Sequence, residues 1–247
     1  MVYVSFSVTA FLFHLCLHGI PCLAHGSILF RGASAVVSFN QTSETVQVLY
    51  NASVLVIGDT IASIFPASHP QLVPSNTTIV PCEGKIITPG FVDTHRHLWQ
   101  TAYRTLGSNT SLAEYFVRYG EFSQAKTVLS PDDVYLGQLM GIYESLNAGV
   151  TSILDHAHHT WSNETALAGL QASVDSGARV WWCYAFHDLS NATWTSPYTR
   201  EEQIDDFLHL SQQGPQRNSG TVSLGIAYDN FALETPPQVK QIMSLAL

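Results

Sequence analysis

The 247-residue chain is poor in charge, and poorest in positive charge. Only 12% of its residues are Asp, Glu, Lys or Arg, and 10 Lys and Arg stand against 19 Asp and Glu, a formal net charge of −9. A nucleic-acid surface needs clustered Lys and Arg to displace counterions, so that class of function is excluded. No apolar run reaches the ~20 residues a bilayer requires, which excludes a stable membrane span. Disorder is excluded as well, because 46% of the residues are hydrophobic and can bury a core. Cysteine is scarce, with four residues at positions 16, 22, 82 and 183.

What the first thirty residues lack is also informative. No Asp, Glu, Lys or Arg precedes Arg31, residues 8–17 are largely apolar, and Gly19 and Pro21 break any helix. Cys22 and Ala24 are small residues at the −3 and −1 positions of a signal-peptidase site, so residues 1–24 read as a secretory signal cleaved near Ala24. Six Asn-x-Ser/Thr sequons, at Asn40, Asn51, Asn76, Asn109, Asn163 and Asn191, use six of the nine asparagines. Chance alone gives roughly two at this Ser and Thr content. The excess predicts N-glycosylation at these six positions and a secreted or secretory-pathway protein. Cys82 and Cys183 then remain, either paired in an oxidising lumen or as two separate buried thiols.

Residues 25–88 form a first domain of short strands over 27–39, 45–50, 53–57 and 60–65, rich in Val, Ile and Ser, with Gly58-Asp59 as a tight turn. They read as a small β-sandwich or open sheet. From residue 89 strands and helices alternate. Ser130-Pro131-Asp132-Asp133 is a helix N-cap with proline at the first helical position. That helix runs on through Tyr135, Leu139, Ile142 and Leu146 and stops at Gly149. A strand over 150–154, a helix over 164–176 with Leu167, Leu170 and Val174 inward, and a strand over 180–186 follow. Thr199-Arg200-Glu201-Glu202 is a capping box opening a helix, residues 222–227 form a fourth strand, and Thr235-Pro236 opens a last helix with Val239, Ile242, Met243 and Ala246 in register. The fold class is therefore α/β, a (β/α)8 TIM barrel represented by about four βα units. A closed barrel needs about 250 residues, and residues 89–247 supply 159. Leu247 falls inside the last helix's apolar repeat, so the expectation is the front half of a barrel. Open strand edges in such a half predict poor solubility or a partner, a further copy of the chain included.

The sharpest chemistry lies in Asp93-Thr94-His95-Arg96-His97. Residues i and i+2 of a strand share a face, so His95 and His97 converge at the C-terminal end of the first barrel strand, where TIM-barrel sites are built. Paired neutral imidazoles suit a divalent transition metal. Trp99 and Gln100, which follow, are candidate substrate contacts, Gln100 through the amide edge of a heterocycle. His156, His158 and His159 follow the second strand toward the barrel mouth, and His156 and His158 are taken as substrate-binding candidates. The stretch 98–129 exceeds ordinary βα loop lengths and suggests a substrate lid.

The run Gly84-Lys85-Ile86-Ile87-Thr88-Pro89-Gly90-Phe91-Val92-Asp93-Thr94-His95-Arg96-His97-Leu98 resembles the signature opening of the metal-dependent amidohydrolase superfamily. It is most similar to the branch of guanine deaminase, adenosine-derivative deaminases and triazine hydrolases. Residues 148–156 resemble that branch's second strand, and the preceding β segment its N-terminal composite β-sandwich. The resemblance implies hydrolysis of a non-peptide C–N bond, by deamination or amide and amidine hydrolysis, in a small, cyclic, nitrogenous substrate. A bound zinc, or iron, would activate the water. His95 and His97 match the first two ligands of the family. Its remaining ligands and its acid/base Glu have no counterpart before Leu247, so the catalytic residues are expected beyond it. The fourth strand carries no Lys, which disfavours the branches that bridge two metals with a carboxylated Lys. The competing reading is a catalytically inactive secreted glycoprotein that keeps the front half of the fold.

Overall fold

A computed structural model describes residues 3–4, 26–121, 123–187, 198–213 and 220–246. Apart from Tyr3–Val4, the signal-sequence expectation lies outside the described residues, as does the sequon at Asn191. Among the described residues, no helix is long and apolar enough to cross a membrane.

Two compact units divide the chain. The first comprises residues up to Phe91 together with Gly149–Thr151, and the second comprises 92–148 and 152–247. In the first, β1 (Tyr3–Val4), β2 (Ser27–Asn40), β3 (Thr45–Ile57), β4 (Thr60–Pro66), β5 (Thr78–Pro81) and β6 (Ile86–Ile87) make one sheet. The hairpins β2–β3 and β3–β4 are antiparallel, and β5 and β6 pair with β2 in parallel. Residues 45–57 are a single strand rather than the expected two: Asn51 takes a left-handed φ of 49° within it without ending the pairing. Phe30, Ala33, Val36, Ala52, Val54, Val56, Cys82 and Ile87 form one core cluster, while Leu29, Leu55 and Phe65 form another. This is the alternation of a sheet covered on both faces.

The second unit carries a four-stranded sheet in the order β10-β9-β8-β7, made of β7 (Phe91–Arg96), β8 (Val150–Ala157), β9 (Arg179–Ala185) and β10 (Val222–Ala227). β8–β9 and β9–β10 pair in parallel, as βα units demand. The helices are α1 (Leu112–Arg118), α2 (Ala125–Val128), α3 (Pro131–Asn147), α4 (Asn163–Asp175), α5 (Arg200–Gln213) and α6 (Pro236–Met243). The expected caps are in place: Ser130 and Asp133 form a reciprocal box at α3, and the Thr199 hydroxyl bonds Glu202 at α5. The stretch 98–129 is folded, not open, into a 3₁₀ turn (Leu98–Tyr103), α1 and α2. α6 is shorter than its apolar repeat. Ile242 is buried, but Met243 is exposed.

Of the run Tyr135, Leu139, Ile142 and Leu146, α3 buries only Ile142. Val134, Gly137, Gln138, Gly141, Ile142 and Ser145 are buried, whereas Tyr135, Leu139 and Leu146 are only half-covered. The cause is close approach to the 3₁₀ turn. A Cβ on Gly137 would lie 2.4 Å from the Trp99 carbonyl oxygen, and one on Gly141 2.5 Å from that of Leu98. Gly141→Ala is accordingly expected to destabilise the chain by about 1–3 kcal/mol despite alanine's better helix propensity. Thermal melting checks this, and an unchanged or raised midpoint would show that the turn yields.

The two thiols are free and buried, Cys82 in the first unit and Cys183 in the second. The Cys183 sulfur fills the space left by Gly225 across the β9–β10 ladder.

Candidate metal centre

The end of β7 delivers the two histidines as strand alternation requires. The His95 and His97 ring centroids lie 4.9 Å apart, edge to face. β8 brings a third imidazole: His156 sits 5.5 Å from His95 and 5.1 Å from His97, centroid to centroid. One ligand nitrogen from each ring falls within 4.8 Å of the others. His95 is exposed, His97 partly covered and His156 buried, so the cluster opens to solvent on the His95 side.

Their hydrogen bonds assign the ring nitrogens. His97 Nδ1 lies 2.9 Å from the His156 carbonyl oxygen, which only accepts, so Nδ1 carries the proton and Nε2 keeps its lone pair. Burial drives the pKa of His97 down to about 4, opposed by that hydrogen bond and assisted by the charges of His156 and His95. Burial likewise lowers that of His156, against the pull of Asp229. Both rings are therefore free bases at neutral pH, the form a metal binds.

A second layer backs the first. His158 stacks on His97 at 4.0 Å and accepts the Trp99 indole N–H at Nδ1, 2.9 Å away. Its proton thus sits on Nε2, 3.6 Å from Glu121. His187 Nδ1 faces the other oxygen of Glu121 at 3.8 Å. Burial lifts the Glu121 pKa to about 7, with Asp229 adding to the rise. Asp155, wholly buried, accepts the Leu98 backbone N–H at 3.1 Å and the Gln138 side-chain amide at 2.6 Å. It anchors the residue after His97 to α3.

Of the residues singled out in the sequence, His95, His97, His156 and His158 come together. Trp99 is fully buried against Tyr103 and Trp161. The Gln100 amide bonds the Tyr119 carbonyl and accepts the Tyr115 hydroxyl, so both groups are engaged within the protein. His159 is buried under α4, its Nδ1–H donating to the Thr165 carbonyl. Glu121 and Asp229 went unnoticed in the sequence. Asp229 stands two residues past the end of β10, where the strand-end rule for barrels finds it. Glu121 follows Gly120 inside the long connection, and nothing in its neighbours marks it.

The profile of the amidohydrolase family matches residues 86–246, well over half of the chain. The chain belongs to the amidohydrolase family. A 5'-deoxyadenosine deaminase from Methanosarcina mazei is 32% identical over 112 residues, covering 44% of this chain and 25% of that protein. Among solved structures, a zinc-bound adenosine deaminase from Xanthomonas campestris is similar at 18% identity and a TM-score of 0.66, covering 90% of this chain and 47% of that one. The zinc complex of an atrazine chlorohydrolase from Arthrobacter aurescens TC1 is similar at 19% identity and a TM-score of 0.68, covering 89% and 50%. This amidohydrolase chain thus spans about a quarter of the curated relative and about half of each solved chain, and β7–β10 with their helices are the opening βα units of the TIM-barrel fold those structures share. Imidazole donors gathered at adjoining strand ends fit a divalent metal of the zinc or iron kind.

Proposed function

We propose that this chain carries the metal-binding front half of a hydrolase of non-peptide C–N bonds, acting by deamination or amide and amidine hydrolysis on a small cyclic nitrogenous substrate. The observation that carries the reading is the convergence of His95 and His97 at the end of β7, with His156 of β8 beside them. A divalent metal at such a site, zinc first and iron second, makes hydroxide available from water at neutral pH. The chain's own residues do the rest of what can be assigned. His97 is locked by the His156 carbonyl in the tautomer that leaves Nε2 free. Asp155 fixes the backbone beyond it. Glu121, with its pKa raised to about 7, is able to hold or release a proton in the operating range. The deaminase names of the relatives support the substrate class.

Passage through the secretory pathway belongs to the same proposal. Asn51, Asn76, Asn109 and Asn163 are exposed and Asn40 is half-covered, as glycan acceptors must be.

The test is expression in a secreting eukaryotic cell, with metal analysis of the chain recovered from the medium and assays on aminated purines and triazines. About one zinc or iron per chain, absent from a His95→Ala, His97→Ala double variant, is the expected result, with the wild type carrying mass that glycan removal reduces. No metal above the control would overturn the metal reading. Metal without turnover would replace the hydrolase with a glycoprotein that binds metal only. Failure to reach the medium would overturn the localisation.

A further inference from the structure

Three imidazoles at the ends of two adjacent strands raise a question that the two-histidine motif does not. A His-x-His pair supplies two ligands, and a catalytic metal site normally has three from the protein. In a tetrahedral centre with metal–nitrogen bonds of about 2.0–2.1 Å, each ring centroid lies about 3.2 Å from the ion and any two centroids are about 5.2 Å apart. The three rings here are separated by 4.9, 5.5 and 5.1 Å. They already stand at the corners of such a site. Their ligand atoms lie within 4.8 Å of one another, and the His95 ring is exposed.

His156 is also held as a ligand would be. Its Nε2 lies 3.3 Å from the Asp229 carboxylate, which stands just beyond β10. A carboxylate on one imidazole nitrogen fixes the ring and raises the basicity of the other, the usual outer partner of a metal-bound histidine. The main chain of the same residue accepts the His97 Nδ1–H. One residue of β8 therefore orients a ligand from β7 through its carbonyl while presenting a ring of its own. Neighbouring Asp155 points the opposite way, toward Gln138 and Leu98, as strand alternation dictates.

We propose that His156 is a third protein ligand, completing a three-histidine metal site from β7 and β8 alone, with Asp229 as the residue that positions it. The inference rests on the metal reading of His95 and His97 and deepens it, moving His156 from substrate contact to ligand. It makes metal binding a property of these first strands.

Titration of the purified full chain with Zn²⁺ and Co²⁺ tests it, alongside His156→Ala, Asp229→Asn and the His95→Ala, His97→Ala double variant. Far-UV circular dichroism with chelator present serves as the fold control. His156→Ala is expected to weaken Zn²⁺ binding at least about 100-fold while the chelated variant keeps the wild-type spectrum, and Asp229→Asn by about 10-fold. With Co²⁺, the wild type should give the intense visible bands of a four-coordinate site, and His156→Ala weaker, shifted ones. His156→Asn, with a smaller amide in place of the ring, guards against a packing effect and should match His156→Ala. Wild-type affinity and an unchanged Co²⁺ spectrum in both His156 variants would overturn the inference while leaving the two-histidine reading intact. No metal bound by the wild type overturns both. A loss in Asp229→Asn as deep as in His156→Ala would make Asp229 a ligand and overturn its positioning role.

Discussion

Trp99→Ala is expected to cost about 3–5 kcal/mol of stability, the range for emptying a large aromatic site from a core, and to lower the melting midpoint by about 10 °C. Trp99 is fully buried, and its cluster with Ala125, Val134, Trp161 and Tyr198 joins the long connection after β7 to α3. Its indole N–H is the donor that fixes the tautomer of His158, the ring stacked on His97. Trp99→Phe keeps most of the packing and removes that donor, leaving His158 Nδ1 buried without a partner at about 1–3 kcal/mol. Thermal and urea unfolding separate the two variants. A Trp99→Ala protein that melts like the wild type but has lost substrate affinity would make the side chain a substrate contact rather than a core residue.

That contrast shows where sequence reading reaches its limit. The strand bearing His95 and His97, the caps at Ser130 and Thr199 and the Val222–Ala227 strand were all legible, because each depends on neighbours within a few residues. Trp99 was not, since adjacency to a His pair suggests a mouth residue and only tertiary packing turns it inward. The buried face of α3 was illegible for a related reason. Gly137, Gln138, Gly141 and Ser145 carry no hydrophobic signal, yet they are buried because small residues allow the helix onto the Leu98–Tyr103 turn and Gln138 meets a buried carboxylate. His156 is marked by its place after a strand, but its company is not: the distance to His97 along the chain is 59 residues, and no local pattern states that the two strands are neighbours. Glu121 belongs to the same group, a single acid in a long connection whose surroundings come from the segments after β8 and after β9.

The buried carboxyl of Asp155 makes the second large prediction, one with a definite sign in pH. Burial lifts its pKa to about 7, partly offset by the hydrogen bonds from Gln138 and Leu98, whereas in an unfolded chain it lies near 3.9. A carboxyl whose pKa is raised by folding keeps its proton in the native state where the unfolded state has lost it. Its contribution to stability therefore grows as pH falls from about 7 toward about 4 and vanishes above about 7. His159 and His187 act in the opposite sense over the same window. Burial holds them down to about 4 and about 3, so acidification charges them in the unfolded chain first and favours unfolding. The wild-type profile is the sum of these opposing slopes and does not isolate any of them. Asp155→Asn does, because asparagine is close in shape, cannot titrate, and leaves every histidine in place. The gap in unfolding free energy between wild type and Asp155→Asn should widen in favour of the wild type by about 2–3 kcal/mol between pH 7.5 and pH 5, two pH units at about 1.4 kcal/mol each. Urea unfolding of both proteins across that range, with chelator present so that metal does not compete for protons, measures it. Parallel profiles would mean that Asp155 is already ionised at pH 5, and that the amide donors of Leu98 and Gln138 outweigh its burial.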